Sequence, residues 1–172
     1  IVGFAGLMGA GRTEVVRALL GMDPITSGTV SIKGQPVAIN NVQDSIEHGM
    51  VMVSEDRKRY GIIPVRDVKE NISLSSLEKV RNLFGIDHRK ERQRDTEISK
   101  RMNVKTPSLE TLISSLSGGN QQKIVLAKWL LRTPEILLLD GPTFFFNDTA
   151  TTEIYTLITE LAKEGKAVLM IS

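Results

Sequence analysis

The chain has 172 residues, of which 22 are basic and 20 acidic, with no cysteine and two histidines. That length holds one domain with a real core but not two large ones. The near-cancelling charge argues against a general nucleic-acid or membrane-surface polycation, and the missing cysteines exclude a disulfide frame and a thiolate metal site.

His48 and His88 stand in no ligand spacing and read as surface residues. No apolar run is long enough to cross a bilayer and no signal peptide opens the sequence, so any membrane role is expected to be peripheral.

In chain order, residues 1–4 read as an apolar strand followed by a glycine loop. A helix is expected over 13–20, with Val15, Val16, Leu19 and Leu20 on one side and Gly21 as its stop. Short strands near Val30 and Val37 flank a turn at Lys33 and Gly34, and a helix near 42–47 leads into the strand 50–53. Residues 68–102 read as helical and charged, with a break near Phe84 and Gly85. A helix over 120–131 stops before Thr133 and Pro134; a strand over 136–139, a phenylalanine-rich loop, a helix to Glu164 and a strand over 167–171 complete the chain. Strand and helix in alternation predict an α/β fold with a parallel sheet. Core strands stand flush with both ends of the chain, so it is expected to be a piece of a larger domain.

Three motifs carry chemistry. The run GLMGAGRTE, residues 6–14, follows a strand and opens a helix, the context of a phosphate-binding loop. Gly6, Gly9, Ala10 and Gly11 let backbone N–H groups turn inward around phosphate oxygens, and the helix N-terminus adds partial positive charge. Thr13, beside Glu14, offers a hydroxyl to Mg²⁺; Arg12 occupies the usual lysine position, with a bulkier, planar, permanent charge. The bland alternative is a glycine turn without a ligand. LSGGNQQK, residues 116–123, places Ser117 and two glycines at a helix start, a second anion site, or a plain capping serine if the S-G-G stood alone. The strand EILLLD ends on Asp140, a candidate Mg²⁺ ligand, directly or through water.

Together these runs resemble the ATP-binding cassette (ABC) family, across the whole chain. With SEDRKRYGI, VKENISL, VKTPS and EIYTLITELAKEGKAVLMIS they are similar to the second cassette of bacterial tandem ATPases that drive ribose-, xylose- or galactose-type monosaccharide import. The resemblance implies a P-loop NTPase fold, incomplete at both ends. It is one partial ABC ATPase domain over 1–172, with a helical insert carrying the signature over about 68–118 and a RecA-like core elsewhere. It implies ATP and Mg²⁺ as cofactors, with Gly6, Gly9, Ala10, Gly11, Arg12, Thr13 and Glu14 binding nucleotide and Thr13 and Asp140 binding metal. Ser117, Gly118, Gly119, Asn120 and Gln121 form a signature that acts on the partner cassette's nucleotide. Glu55 stands where most cassettes place a glutamine, and residues 56–59 are expected near the coupling surface. The implied partners are a second cassette, as the first half of the same polypeptide or another chain, sugar-permease subunits and, indirectly, a periplasmic sugar-binding protein. The implied location is the cytoplasmic face of the bacterial inner membrane. No nucleic-acid partner is expected, since the basic run near 87–105 is interleaved with acids and reads as a solvated helix face. The alternatives are a cassette ATPase acting on DNA or chromosomes and a non-hydrolysing module that uses ATP as glue.

The family pattern fails locally after Asp140. Pro142 and Thr143 match it, and so do Glu153, Ile154 and Tyr155, without a gap. Between them Gly141 stands at the catalytic glutamate position, Phe144 at that of an arginine and Asn147 at that of the loop aspartate. No catalytic residue is therefore intact, and hydrolysis is expected to be deficient. NDTATTEIYT, residues 147–156, resembles an in-frame translation of a common sequencing-library adapter, with the phenylalanines at 144–146 as its upstream edge. The reading is an artefact rejoining the true gene at E-I-Y; the alternative is a natural degenerate loop.

Overall fold

The computed structural model describes residues 1–7, 9–141 and 148–171, with no side chains at 148–150. Pro142, Thr143, the three phenylalanines at 144–146 and Asn147 lie outside the described residues, as does Met8 of the glycine loop; the rest of the adapter-like run, 148–156, is helical. The chain divides into two compact units.

The first unit draws on 1–55, 134–142 and 158–172. Its elements are β1 (Val2–Phe4), α1 (Arg12–Leu19), the hairpin β2 (Val30–Ile32) and β3 (Gln35–Val37), α2 (Val42–Glu47), β4 (Met50–Val53), β7 (Ile136–Asp140) and β8 (Ala167–Ile171). Four strands form one sheet in the order β1-β8-β7-β4, each pair parallel. Val53 pairs with Leu139, Asp140 with Ile171 and Phe4 with Ile171. Parallel strands share one C-terminal edge, so the segments that follow β1, β4 and β7 all leave the sheet from the same side.

The core of this unit is Val16, Leu20, Met50, Leu138 and Ile171. Val16 and Leu20 lie four apart on α1 and point together onto the sheet. Val15, expected beside them, is half exposed, because the 16/20 spacing sets the buried stripe one step further round. Gly21 ends the helix as expected, at φ 69, and a Cβ there would lie 2.6 Å from the Asn41 nitrogen. Any side chain at 21 would displace the Asn41 cap of α2. Lys33 and Gly34 form the two-residue hairpin turn, both at positive φ, the form whose twist suits paired strands.

The second unit draws on 56–133 and 143–157. It opens with a five-residue π-helical turn, Arg57–Gly61, capped by Asp56. Then come α3 (Val68–Ser73), a 3-10 stretch (Leu74–Val80), β5 (Arg81–Asn82), β6 (Gly85–Ile86), α4 (His88–Arg101), a 3-10 turn (Ile113–Ser115) and α5 (Gly118–Leu130). The helix α6 (Asp148–Lys163) follows β7, and Ile154, Leu157, Ile158 and Leu161 are buried at helical spacing. Asp67 and Glu70 cap α3 reciprocally. The expected helical run over 68–102 is interrupted more than anticipated, because the break at Phe84 and Gly85 is a β-hairpin with Gly85 at φ 129.

The solvated reading of the charged helix also needs correction. Glu91, Asp95, Ile98 and Met102 form one buried stripe at helical spacing, so two acids hold core positions that a hydropathy pattern cannot reveal. Glu91 accepts from Ser73 at 2.8 Å and pairs with His88 at 3.0 Å. Among the described residues, neither carboxylate oxygen of Asp95 has a hydrogen-bond partner. Burial first, and then the neighbouring Glu91 charge, push the Asp95 carboxyl from its ordinary 3.8 to about 7, against the lowering effect of Arg94 and Lys69.

A folded pKa above the unfolded value means that Asp95 favours the fold fully below about pH 4 and loses that contribution as pH rises through about 7. The expected loss is on the order of 4 kcal/mol. Urea unfolding of wild type and Asp95→Asn at pH 4, 6 and 8 tests this. The variant should gain on wild type as pH rises, whereas parallel profiles would place the titration elsewhere.

Candidate nucleotide site and signature helix

The C-terminal edge of the sheet gathers the first group of candidate residues. The glycine loop leaves β1 there, Gly9 and Gly11 adopt φ 81 and 78, and the Ala10 N–H donates to the Leu7 carbonyl at 3.1 Å. A Cβ at Gly9 or Gly11 would meet nothing within 4 Å, so the loop faces open space. α1 then starts at Arg12, with Gly11 as a left-handed cap, and its first N–H groups have no side-chain cap. The Arg12 side chain arches back over the loop, its Cδ lying 3.5 Å from where a Gly6 Cβ would stand.

Thr13 and Asp140, 127 residues apart, meet at this edge. The Thr13 hydroxyl donates to Asp140 Oδ2 at 3.2 Å and to Oδ1 at 3.4 Å. Burial raises the Asp140 carboxyl above its usual range, and the Thr13 hydrogen bond and the Arg12 charge only partly offset this. A hydroxyl and an under-compensated carboxylate are hard oxygen donors, the class that Mg²⁺ takes together with phosphate oxygens and water, so the residues present fit that ion. Gly141 is buried beside Asp140, at φ 53, with its N–H on the Ile171 carbonyl at 3.0 Å. Glu55 lies exposed two residues past the end of β4, on the same edge. Glu14 is exposed in the first turn of α1.

The signature residues lie in the second unit, at the start of α5. Ser117 is the N-cap and is exposed, its Oγ accepting from Asn120 Nδ2 at 3.0 Å. Gly118 and Gly119 open the helix, and their N–H groups belong to the first turn, where the Ser117 side chain accepts from the Asn120 N–H. Asn120 Oδ1 accepts from the Lys105 N–H at 2.8 Å. Gln121 is turned inward: its Nε2 donates to the Ile113 and Leu116 carbonyls, and its Oε1 accepts from Arg57 Nε at 3.2 Å.

The sequence reading missed the polar residues that hold this helix. Lys123 donates to the Asn103 carbonyl at 3.0 Å and pairs with Glu153 at 2.5 Å. Lys128 is buried and donates to the Gly61 carbonyl. The signal was present as QQKIVLAKWL, an unusual density of polar residues in a helix buried on nearly every side. Both histidines are exposed, and among the described residues no cluster of His, Asp or Glu forms a metal site by itself. No helix among them is long and apolar enough to cross a membrane.

The family model described as "ABC transporter" matches residues 1–144, and the chain belongs to that family. It is 47% identical over its full length to the ribose import ATP-binding protein RbsA of Clostridium perfringens, covering 34% of that protein. It is also 47% identical to the xylose import ATP-binding protein XylG of Geobacillus kaustophilus, again covering 34% of it. The chain thus spans about a third of the length of these curated relatives. The fold matches the dimeric ATP-binding cassette MJ0796 bound to ADP and Pi with a TM-score of 0.80, at 23% identity, over all of this chain and 74% of that one. The architecture is the ABC ATPase fold, α/β with a parallel sheet.

Proposed function

We propose that this chain is part of a nucleotide-binding domain that energises monosaccharide import at the cytoplasmic face of a bacterial inner membrane. In this reading it is the second cassette of a tandem ATPase, a single partial domain with its helical insert near 68–118. It works with permease subunits and, through them, a periplasmic sugar-binding protein. The observation that carries the nucleotide site is the meeting of Thr13 with Asp140 beside an open glycine loop. The sugar reading is supported by the names of relatives that import ribose and xylose.

The chemistry follows from the residues. Loop N–H groups and the α1 N-terminus face phosphate oxygens. Arg12 adds a fixed charge that grips them. Mg²⁺, when bound, would neutralise phosphate charge; Thr13 and Asp140 are the residues that would hold it. Gly141 has no carboxylate to polarise an attacking water. The chain as it stands is expected to bind Mg-ATP weakly and to hydrolyse it at background. Calorimetry and a phosphate-release assay test both points together. Robust turnover by this chain, abolished by Asp140→Ala, would show that the catalytic group has been misplaced.

The interrupted pattern over 141–147 is read as an artefact of the gene sequence. An independent clone is expected to encode glutamate at 141 and no run of phenylalanine. Codons for Phe144, Phe145 and Phe146 in a second clone would establish a natural degenerate loop instead.

A further inference from the structure

Lys128 is a buried cation whose burial no ion pair among the described residues offsets. Its residue is 8% exposed, and its Nζ donates to the Gly61 carbonyl at 2.5 Å and stands 5.5 Å from the Trp129 ring centroid. An uncompensated buried ammonium is destabilising, so a leucine would serve a purely packing role better. What the amine supplies is a directed bond to the last residue of the π-helical turn Arg57–Gly61. The same turn is held at its other end, where Arg57 Nε donates to Gln121 Oε1 at 3.2 Å. Between these bonds, Gly61 lies so close to α5 that a Cβ would be 3.0 Å from Val125 Cγ2. Gln121, Val125 and Lys128 are spaced i, i+4, i+7, so all three contacts fall on one face of α5. π-Turns are rare and recur at functional sites. This one is strapped along the helix whose N-terminus presents Ser117.

We propose that Lys128, with Arg57 and Gly61, is a positioning device that locks the 57–61 turn to α5 and thereby sets the placement of Ser117 for catalysis. The inference rests on the ATPase reading above. A rigid α-helix transmits displacement along its axis, and Lys128 lies roughly 16 Å from Ser117 at 1.5 Å per residue. The charged turn and the signature therefore move as one piece, and loosening the strap misplaces the signature without touching the site that binds ATP.

The test uses the full-length protein with glutamate at position 141, assayed for ATP turnover with its membrane subunits. Lys128→Met keeps length and packing but removes the donor. It is expected to lower kcat about tenfold or more while leaving KM for ATP and the thermal midpoint near wild type, the split expected for misplacing a group that acts in the transition state. A second pair guards against misfolding. Gly61→Ala drives a methyl into Val125 and should also lower kcat, and adding Val125→Ala should restore it. A purely structural contact predicts instead that the thermal midpoint falls in Gly61→Ala and recovers in the pair, with kcat of the folded protein unchanged throughout. Unchanged kcat in a stable Lys128→Met protein, or additive losses in the pair, overturns the strap alone. Absence of turnover in the parent protein overturns the ATPase reading and the strap with it.

Discussion

Gly141→Glu, made in this chain without a first cassette, is expected to raise ATP turnover at the chain's own site above its background by about 10²–10⁴, the usual contribution of a positioned general base. Gly141 directly follows Asp140, the residue that meets Thr13 at the candidate phosphate site. A carboxylate in that position would face a water beside the transferring phosphate. The backbone opposes the change, because φ at 141 is 53, in the left-handed region. That opposition is about 1–2 kcal/mol for a residue other than glycine. The catalytic gain corresponds to roughly 3–5 kcal/mol of barrier, so it wins. Phosphate release from wild type, Gly141→Glu and Gly141→Glu with Asp140→Ala decides the matter. The restored activity should vanish in the double variant. If Gly141→Glu stays at background while ATP still binds, a base at 141 is not what the chain lacks.

The second large effect separates the two anion sites. In the restored protein, Ser117→Arg is expected to remove most turnover, on the order of 10²–10³, as loss of a preorganised donor at developing charge does. Ser117 is exposed at the start of α5, where its Oγ accepts from Asn120, and the Gly118 and Gly119 N–H groups stand beside it in the first turn. On the proposed reading, this signature serves the nucleotide of the partner in a closed cassette pair. Arg12→Ala, by contrast, removes one charge from this domain's own loop. Its expected effect is weaker nucleotide binding here, by about 1.5–3 kcal/mol, with a larger share of turnover retained. The hypothesis is a division of labour: this domain holds ATP as structure and completes the working site of its partner. Ser117→Ala serves as a control, since it loses the cap, worth about 1 kcal/mol, without adding bulk or charge. If Arg12→Ala is the more damaging change, the asymmetry is wrong and this cassette's own site is a main engine.

The sequence by itself determined the order and type of most elements in the first unit and the candidates for the nucleotide site. Its helices and strands differ in hydrophobic period, and its turns are written in glycine: Gly21 at a helix stop, Lys33 and Gly34 in a hairpin. Such signals are local and act through neighbours in the chain. A loop such as GLMGAGRTE is legible for the same reason, since its backbone geometry depends on its own glycines. Tertiary structure alone decided the rest. No local pattern could bring the Thr13 hydroxyl to within 3.2 Å of Asp140 across 127 residues; the parallel register of β1, β8 and β7 does that. The buried face of α4 was illegible, and that of α5 was written only as an unusual density of polar residues among apolar ones, because polar residues occupy core positions there. Glu91 and Asp95 read as solvated charges, and no reading singled out Lys123 or Lys128 for burial; Glu91, Lys123 and Lys128 find partners 18, 30 and 67 residues away. Hydropathy records what a side chain prefers when alone. Where a buried amine or acid is held by a distant hydroxyl, carbonyl or carboxylate, only the packed structure supplies the group that makes its burial tolerable.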